Sequence, residues 1–100
     1  MSTMEYRAWI DITGFPTADD EAAWLPFADA LDRQNADVGA VLSWSDRHTA
    51  QVVMSANVDD RAQFARTAIV RVTEALEAAD MPDLYPTAIE IEPADEPALV

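Results

Sequence analysis

Apolar residues recur at every second position in the run Glu-Tyr-Arg-Ala-Trp-Ile-Asp-Ile, which spans residues 5–12, and the positions between them are charged except for Trp9. A period of two predicts a β-strand, here about Met4 to Ile12, with one apolar face and one mostly charged face. The apolar face marks the side on which the core lies. Trp9 stands in the middle of the charged face, so we expect its ring to lie on the side of the strand away from the core.

The chain after this strand predicts a first helix that ends near Gln34. A Gly-Phe-Pro sequence at residues 14–16 ends the strand, and Thr17 with Asp20 three residues later resembles a capping box. The apolar residues at helical spacing, which should form the buried face, are Trp24, Phe27, Ala28 and Leu31. Pro26 leaves two alternatives, because proline removes a helical hydrogen bond. Either one helix bends at Pro26, or a short turn precedes a helix that carries Pro26 in its first turn.

Two strands follow in close succession. Apolar and polar residues alternate over Val38–Ser45 and again over Thr49–Asn57, with a polar segment at residues 45–48 short enough for a hairpin loop. Trp44 ends the inward-facing set of the second strand. We therefore expect Trp44, like Trp24 on the first helix, to close one end of the core rather than to bind a ligand.

A second helix and a fourth strand complete the pattern. The helix is predicted over about Asp60–Ala79, with Asp59 or Asn57 as its N-cap. Its predicted core stripe consists of Ala65, Ala68, Ile69, Val72, Leu76 and Ala79. The last strand is predicted over Thr87–Glu92, where isoleucine and glutamate alternate. The proline-containing residues 93–100 are expected to form a tail.

The order strand, helix, strand, strand, helix, strand resembles the ferredoxin-like split βαβ plait. This resemblance rests on element order and covers about Met4–Glu92. It implies an α+β, ferredoxin-like βαββαβ fold with a four-stranded antiparallel sheet of order 4-1-3-2 and two helices on one face. Residues 1–92 would then form a single domain, and residues 93–100 a flexible acidic C-terminal tail. The fold hosts many unrelated functions and implies none by itself.

The face of the sheet opposite the helices is the candidate interaction surface in that fold. Trp9 would lie near its centre beside Val41, Val53 and Ala88, within a mainly acidic border. The residues predicted to carry a contact are Arg7, Trp9, Asp11, Val41, Val53 and Glu90. An apolar anchor inside a polar rim is typical of a protein contact surface. Two alternatives stay open: the apolar end of the tail covers Trp9, or Trp9 is an exposed residue without a role.

Composition narrows the partners. The chain carries 19 acidic residues against 6 basic ones, a formal net charge of -13. This charge disfavours nucleic acid and anionic membranes, because phosphates would be repelled, and it favours solubility or a basic protein partner. The sequence has no cysteine for a disulfide or a thiolate, and its 2 glycines are too few for a phosphate-binding loop. Lacking a signal-peptide pattern or a membrane-spanning apolar run, the chain is expected to be cytoplasmic.

Candidate catalytic chemistry is sparse. His48 is the single histidine, and Asp46 lies beside it in the hairpin loop, so the pair could serve as a general base. No nucleophile accompanies the pair, which favours an ordinary solvent-exposed histidine. The acidic clusters at residues 19–21 and 59–60 lack the spacing of a calcium loop and suit the first turns of helices. The sequence therefore predicts no cofactor and no metal.

These observations favour a non-catalytic protein-interaction module that acts as a homodimer or on a partner. A sharper version is an inhibitor or immunity-type factor for a basic partner, to which Asp29, Asp32, Asp59, Glu74 and Glu77 could contribute. The alternative is an enzyme, since length and element order are similar to those of dimeric α/β-barrel proteins of the antibiotic-biosynthesis monooxygenase type. The usable side chains would then be Trp9, Asp11, Asn57 and His48. A small-molecule-binding regulatory domain is a third alternative.

Overall fold

The computed structural model describes residues 4–35 and 39–93. Its elements in chain order are β1 (Met4–Thr13), α1 (Glu21–Gln34), β2 (Val41–Asp46), β3 (Thr49–Val58), α2 (Arg61–Ala78) and β4 (Ala88–Pro93). All strand pairs are antiparallel and the sheet order is β2-β3-β1-β4, which is the predicted order written in reverse. The α+β arrangement of the βαββαβ type is therefore confirmed. Val38, the predicted start of the second strand, and residues 94–100 of the predicted tail lie outside the described residues.

β1 lies between β3 and β4 in the sheet, and its two faces differ in burial. Ala8, Ile10 and Ile12 are fully buried, while the residues between them belong to the other face. On β3 the inward set is Ala50, Val52 and Met54, all buried. Strict alternation excludes a register shifted by one residue, since such a slip would turn every side chain to the opposite face.

Both helices cover this apolar side of the sheet. α1 contributes the buried Phe27, Ala30 and Leu31, and α2 contributes the buried Phe64, Ala68, Val72, Ala75 and Leu76 to the same core cluster. The predicted stripe of α2 included Ala65 and Ile69, which are only half-buried, and omitted Phe64 and Ala75. The helix is thus rotated by a fraction of a turn from the predicted face, so that the large ring of Phe64 joins the core.

A single helix contains Pro26, so the alternative with Pro26 in the first turn of a later helix is wrong. α1 runs continuously from Glu21 to Gln34 with Pro26 inside it, on the exposed side of the helix. The capping box predicted from Thr17 and Asp20 is wrong. Asp20 is the N-cap residue, but its side chain makes no cap hydrogen bond, and its backbone N–H donates to the carbonyl of Thr17 instead.

α2 has well-defined caps at both ends. The N-cap is Asp60 rather than the predicted Asp59 or Asn57, since Asp60 Oδ1 accepts hydrogen bonds from the N–H groups of Ala62 and Gln63 at 3.0 and 3.2 Å. Asn57 lies within β3, which continues to Val58, and Asp59 stands one residue before the cap. At the C-terminal end the chain leaves the helix through Asp80, whose φ of 61° is left-handed.

β4 is shifted by one residue from its predicted bounds. Thr87 precedes the strand and donates its N–H to the carbonyl of Asp11, while Pro93 lies within the strand and pairs with Tyr6. Assigning Pro93 to the tail was therefore wrong. A proline is compatible with this position because β4 is an edge strand, where one N–H need not join the ladder.

Candidate functional site

The outward side of the sheet, here called the open face, gathers the residues that alternate with the core. It consists of Glu5, Arg7, Trp9 and Asp11 on β1, Gln51, Val53, Ser55 and Asn57 on β3, Val41, Ser43 and Ser45 on β2, and Ala88, Glu90 and Glu92 on β4. The buried side chains of both helices belong to the cluster on the other side. No helix among the described residues therefore covers the open face.

One row of residues crosses the open face from edge to edge. The register pairs Val41 with Val53, Val53 with Trp9, and Trp9 with Glu90. Val41 is 58% exposed, while Val53 and Trp9 are half-buried by their neighbours on the same face. Since adjacent strands lie about 4.8 Å apart, the three apolar side chains form a continuous strip. The expected neighbour Ala88 instead lies opposite Asp11, two residues away from Glu90 on β4.

The ring of Trp9 is held by a cation from its own strand. The Cζ atom of Arg7 lies 5.8 Å from the centroid of the Trp9 ring, within the range of a cation–π contact. Such a contact favours the indole rotamer that places the ring beside the guanidinium. A side chain ordered in advance loses less conformational entropy on binding.

Carboxylates border the strip. Asp11 Oδ1 accepts a hydrogen bond from Gln51 Nε2 at 3.2 Å, which orients this acid beside the strip. Glu90 lies directly opposite Trp9, and Glu92 lies directly opposite Arg7. With Glu5, the open face presents 4 carboxylates against the single guanidinium of Arg7. All six residues predicted for the site therefore lie on one face, and the surface that they form is apolar at the centre and acidic around it.

A second concave feature lies at the hairpin end of the sheet. A cleft of about 320 Å³ is lined by Thr17, Ala18, Asp19, Trp44, Asp46 and Arg47. The sequence reasoning did not single it out, and its one sequence signal is a tryptophan directly before the polar turn. The rings of Trp44 and Trp24 pack edge to face with their centroids 5.1 Å apart. Trp44 Nε1–H donates to the carbonyl of Pro16 at 2.8 Å. Trp24 Nε1–H donates to the carbonyl of Ala18 in the same way. Both indoles are thus engaged by the fold, as expected for residues at the end of the core.

His48 serves the fold through its backbone. Its N–H donates to Asp46 Oδ1 at 2.9 Å, and its carbonyl accepts hydrogen bonds from the N–H groups of Gly14 and Phe15. Gly14 makes this turn with a φ of +82°, a conformation that suits glycine. Asp46 Oδ1 accepts this hydrogen bond from the main chain of His48 and not from its imidazole. The contact between the two residues is therefore not the carboxylate–imidazole pair considered as a general base.

The four side chains considered for an enzyme do not converge. Trp9 and Asp11 lie near the middle of the open face, Asn57 lies opposite Glu5 near one end of β3, and His48 lies in the turn beyond the other end. Asn57 follows His48 by nine positions along an extended strand, a span of about 30 Å. None of the four lies between the sheet and the helices, where such an enzyme was expected to hold its substrate.

The described residues also include side chains of metal-binding types, two helices and a set of exposed acids away from the open face. Over residues 4–35 and 39–93, no group of three or more His, Asp or Glu side chains could hold a metal ion. None of the helices in this part of the chain is long and apolar enough to cross a membrane. The exposed acids proposed for an inhibitor surface are Asp29, Asp32, Asp59, Glu74 and Glu77. Four of them lie on α1 and α2, so the helix layer presents an acidic surface separate from the open face.

Fold and site together define a small α+β domain with a four-stranded antiparallel sheet and an open, acid-bordered sheet face. The sequence matches no protein-family model and no curated protein. Among solved structures it is similar to the crystal structure of AtUAH in complex with (S)-hydroxyglycine, with a TM-score of 0.45 and 14% sequence identity. The likeness covers 89% of this chain and 27% of that chain, so this chain spans little more than a quarter of its length. A likeness this distant carries no information on function.

Proposed function

We propose that this protein is a non-catalytic interaction module that docks a partner protein on its open face. The observation that carries the proposal is the row formed by Trp9, Val53 and Val41, an apolar strip bordered by carboxylates. Interfaces draw most of their binding energy from a few central aromatic or apolar anchors, while the polar rim excludes water and sets register. The contact between Arg7 and the Trp9 ring supports this role, since it orders the anchor in the free protein.

The chemistry of the rim favours a basic partner. Glu5, Asp11, Glu90 and Glu92 border the strip, and the whole chain has a formal net charge of -13. Complementary charge accelerates encounter and rejects partners of like charge. A domain with this surface suits an inhibitor or immunity-type factor that covers a basic surface of another protein.

The helix side of the molecule is a weaker candidate. Its large exposed apolar residues include Leu25 at 41% and Val70 at 52%, and they lie on separate helices. Single exposed apolar side chains are common on soluble proteins and need no partner. Among the two sides of the described sheet and helix layer, the open face is the one that combines adjacent apolar residues with an aromatic ring in contact with a cation and a charged border.

A capture experiment tests the proposal. Immobilised wild-type protein and Trp9→Ser are incubated with an extract of the source cells, and the retained proteins are quantified by mass spectrometry. We expect wild type to retain a basic protein that Trp9→Ser loses, because one buried tryptophan anchor contributes about 2 kcal/mol or more, roughly a 30-fold change in affinity. Glu90→Lys and added salt should weaken the same capture.

Val70→Ser is the matched control, because it removes an exposed apolar side chain from α2 and leaves the open face intact. It should retain the partner like wild type. Capture of the same proteins by wild type and Trp9→Ser would refute the proposal, and capture of acidic proteins alone would refute the charge argument. Circular dichroism of each variant verifies that it is folded.

A further inference from the structure

The two edges of the sheet differ in how they are protected. Unpaired edge strands attract further strands, and proteins block them with charges, prolines, bulges or covering segments. β4 carries Glu90, Glu92 and a proline at position 93. At the other edge, residues 41–44 of β2 include no charged residue and no proline, and the protective features of this strand, an irregularity between Trp44 and Asp46 and the charge of Asp46, lie at its hairpin end. In the part of the chain that the structure describes, β2 pairs with β3 alone.

The side chains of β2 are suited to pairing with their own copy. Leu42 and Trp44 point to the helix side and are only half-buried, because no further strand lies beyond them. Ser43 stands between them on the open face and is exposed. A two-fold axis through Ser43 preserves the face of every residue, because directly opposed residues in an antiparallel pair lie on the same side of the sheet.

We infer that two copies of this chain associate through antiparallel pairing of β2 with β2, centred on Ser43. Each Leu42 then lies opposite Trp44 of the partner subunit, and each Val41 lies opposite Ser45 of the partner subunit. The first pair covers apolar surface that the monomer leaves half-exposed. The two sheets become one sheet of eight strands, and both open faces remain available on its outer side.

Charge favours this edge over other contacts between copies. In the proposed pairing the nearest carboxylates of β2, the two Asp46 side chains, lie six positions apart along the strand direction. That distance is about 20 Å, well beyond the screening length of about 8 Å at physiological salt. Stacking two open faces would instead bring together the carboxylates that border Trp9. A chain with a net charge of -13 therefore meets less repulsion from a second copy along β2 than across the open faces.

Sedimentation velocity across a concentration series tests the association. We expect wild type to show a monomer–dimer equilibrium, and Ser43→Lys and Ser43→Asp each to be monomeric, because like charges directly opposite each other destabilise a strand pair. An equimolar mixture of the two variants should regain the dimer, since opposite charges then face each other. Asn57→Lys and Asn57→Asp are the matched controls, because Asn57 is exposed on the same face but far from the edge.

A cross-link tests the register. The native chain has no cysteine, so Ser43→Cys introduces a single thiol into each copy. Directly opposed residues of an antiparallel pair have Cα atoms about 4.5–5.5 Å apart, which a disulfide can span. Mild oxidation should convert most of Ser43→Cys into a covalent dimer, while Asn57→Cys stays monomeric.

The inference is overturned if wild type remains monomeric throughout the series, or if Ser43→Cys cross-links no faster than Asn57→Cys. It is also overturned if Trp9→Ser abolishes the dimer while both single Ser43 charge variants retain it, since the open face would then be the contact between copies. The edge pairing is independent of the proposed function: the Ser43 variants should still retain the basic partner of the open face, and Trp9→Ser should still dimerise.

Discussion

Asp80 occupies a backbone conformation that usually belongs to glycine. Its φ is 61°, and the chain closes α2 there with two hydrogen bonds: Met81 N–H donates to the carbonyl of Leu76, and Asp80 N–H to the carbonyl of Glu77. This pattern is a Schellman motif, in which glycine is favoured because a Cβ atom crowds the left-handed conformation. A carboxylate at a helix C-terminus also opposes the helix dipole.

Replacing Asp80 by glycine should therefore stabilise the protein. We expect Asp80→Gly to raise the free energy of unfolding by about 1 kcal/mol, measured by urea denaturation. Asp80→Ala is the control, since it removes the charge but keeps the Cβ atom. If Asp80→Ala stabilises as much as Asp80→Gly, the conformational explanation is wrong and the charge alone is responsible.

For single residues, the sequence predicts the type of residue that caps a helix better than it predicts which position takes that role. Residues 57–60 offer three capping side chains, and the choice of Asp60 depends on how far β3 extends. Asn35 had no sequence signal at all. It is fully buried, and both ends of its amide have hydrogen-bond partners. Nδ2 donates to the carbonyl of Leu31, and Oδ1 accepts from Arg71 on the other helix, 36 residues away. A contact of that separation follows from helix packing and cannot be derived from local pattern.

α1 is the element with a built-in defect. Pro26 lies in its sixth position, so the carbonyl of Ala22 lacks its helical donor. Proline in a helix interior is less favourable than alanine by about 3 kcal/mol. The next residue, Phe27, is fully buried, and its ring packs edge to face with that of Phe15 at a centroid distance of 5.4 Å, so the proline directly precedes an aromatic contact between α1 and the segment after β1.

Pro26→Ala should stabilise α1. We expect an increase of about 1–3 kcal/mol in the free energy of unfolding, because the hydrogen bond from residue 26 to Ala22 is restored, measured by thermal and urea denaturation. Leu25→Ala, an exposed neighbour in the same helix, is the control and should change stability little. A loss of stability in Pro26→Ala would instead indicate that a bend at this residue is needed to seat Phe27.

The strands were predictable as elements, and the helical faces less so. The alternating pattern gives β1 and β3 to within one residue, because a strand buried on one face must repeat every two residues. A helix tolerates a rotation of a fraction of a turn, and alanine-rich α2 offers several nearly equivalent apolar stripes. The structure shows which of these stripes is buried, and Phe64 belongs to it.

Net charge acts on the molecule as a whole. The whole chain has a formal charge of -13, and most of its acidic residues belong to a described fold with a radius of gyration of 13.9 Å. The screening length falls from about 30 Å at 0.01 M salt to about 8 Å at 0.15 M. At low salt nearly all carboxylates therefore repel each other, and this repulsion destabilises the compact state.

Sodium chloride should accordingly stabilise the protein at pH 7. At fixed protein concentration we expect the thermal midpoint to rise by about 5 °C between 0.01 and 0.15 M, which corresponds to about 1 kcal/mol for a domain of this size. The double variant Asp29→Asn/Asp32→Asn, with two fewer charges on exposed positions of α1, should show a smaller rise. A midpoint that falls with salt would indicate that attractive ion pairs dominate.

The candidate site was predictable as a set of residues but not as a geometry. Alternation assigns Trp9, Val53 and Val41 to one face, and the order of elements makes β1 and β3 neighbours. The alignment of the three in a single row depends on the hairpin, which contains an irregularity between Trp44 and Asp46. Pattern alone could not give that offset, nor the one on β4 that brings Glu90 rather than Ala88 opposite Trp9.

The asymmetry between β2 and β4 also limits how large an assembly can grow. Indefinite ribbons require each added unit to expose a fresh edge equivalent to the one just used. Here any strand added at β2 uses the receptive border of the sheet, and the opposite border ends in two glutamates and a proline. Growth by strand addition therefore stops after a single step, which gives this sheet a built-in resistance to fibre formation.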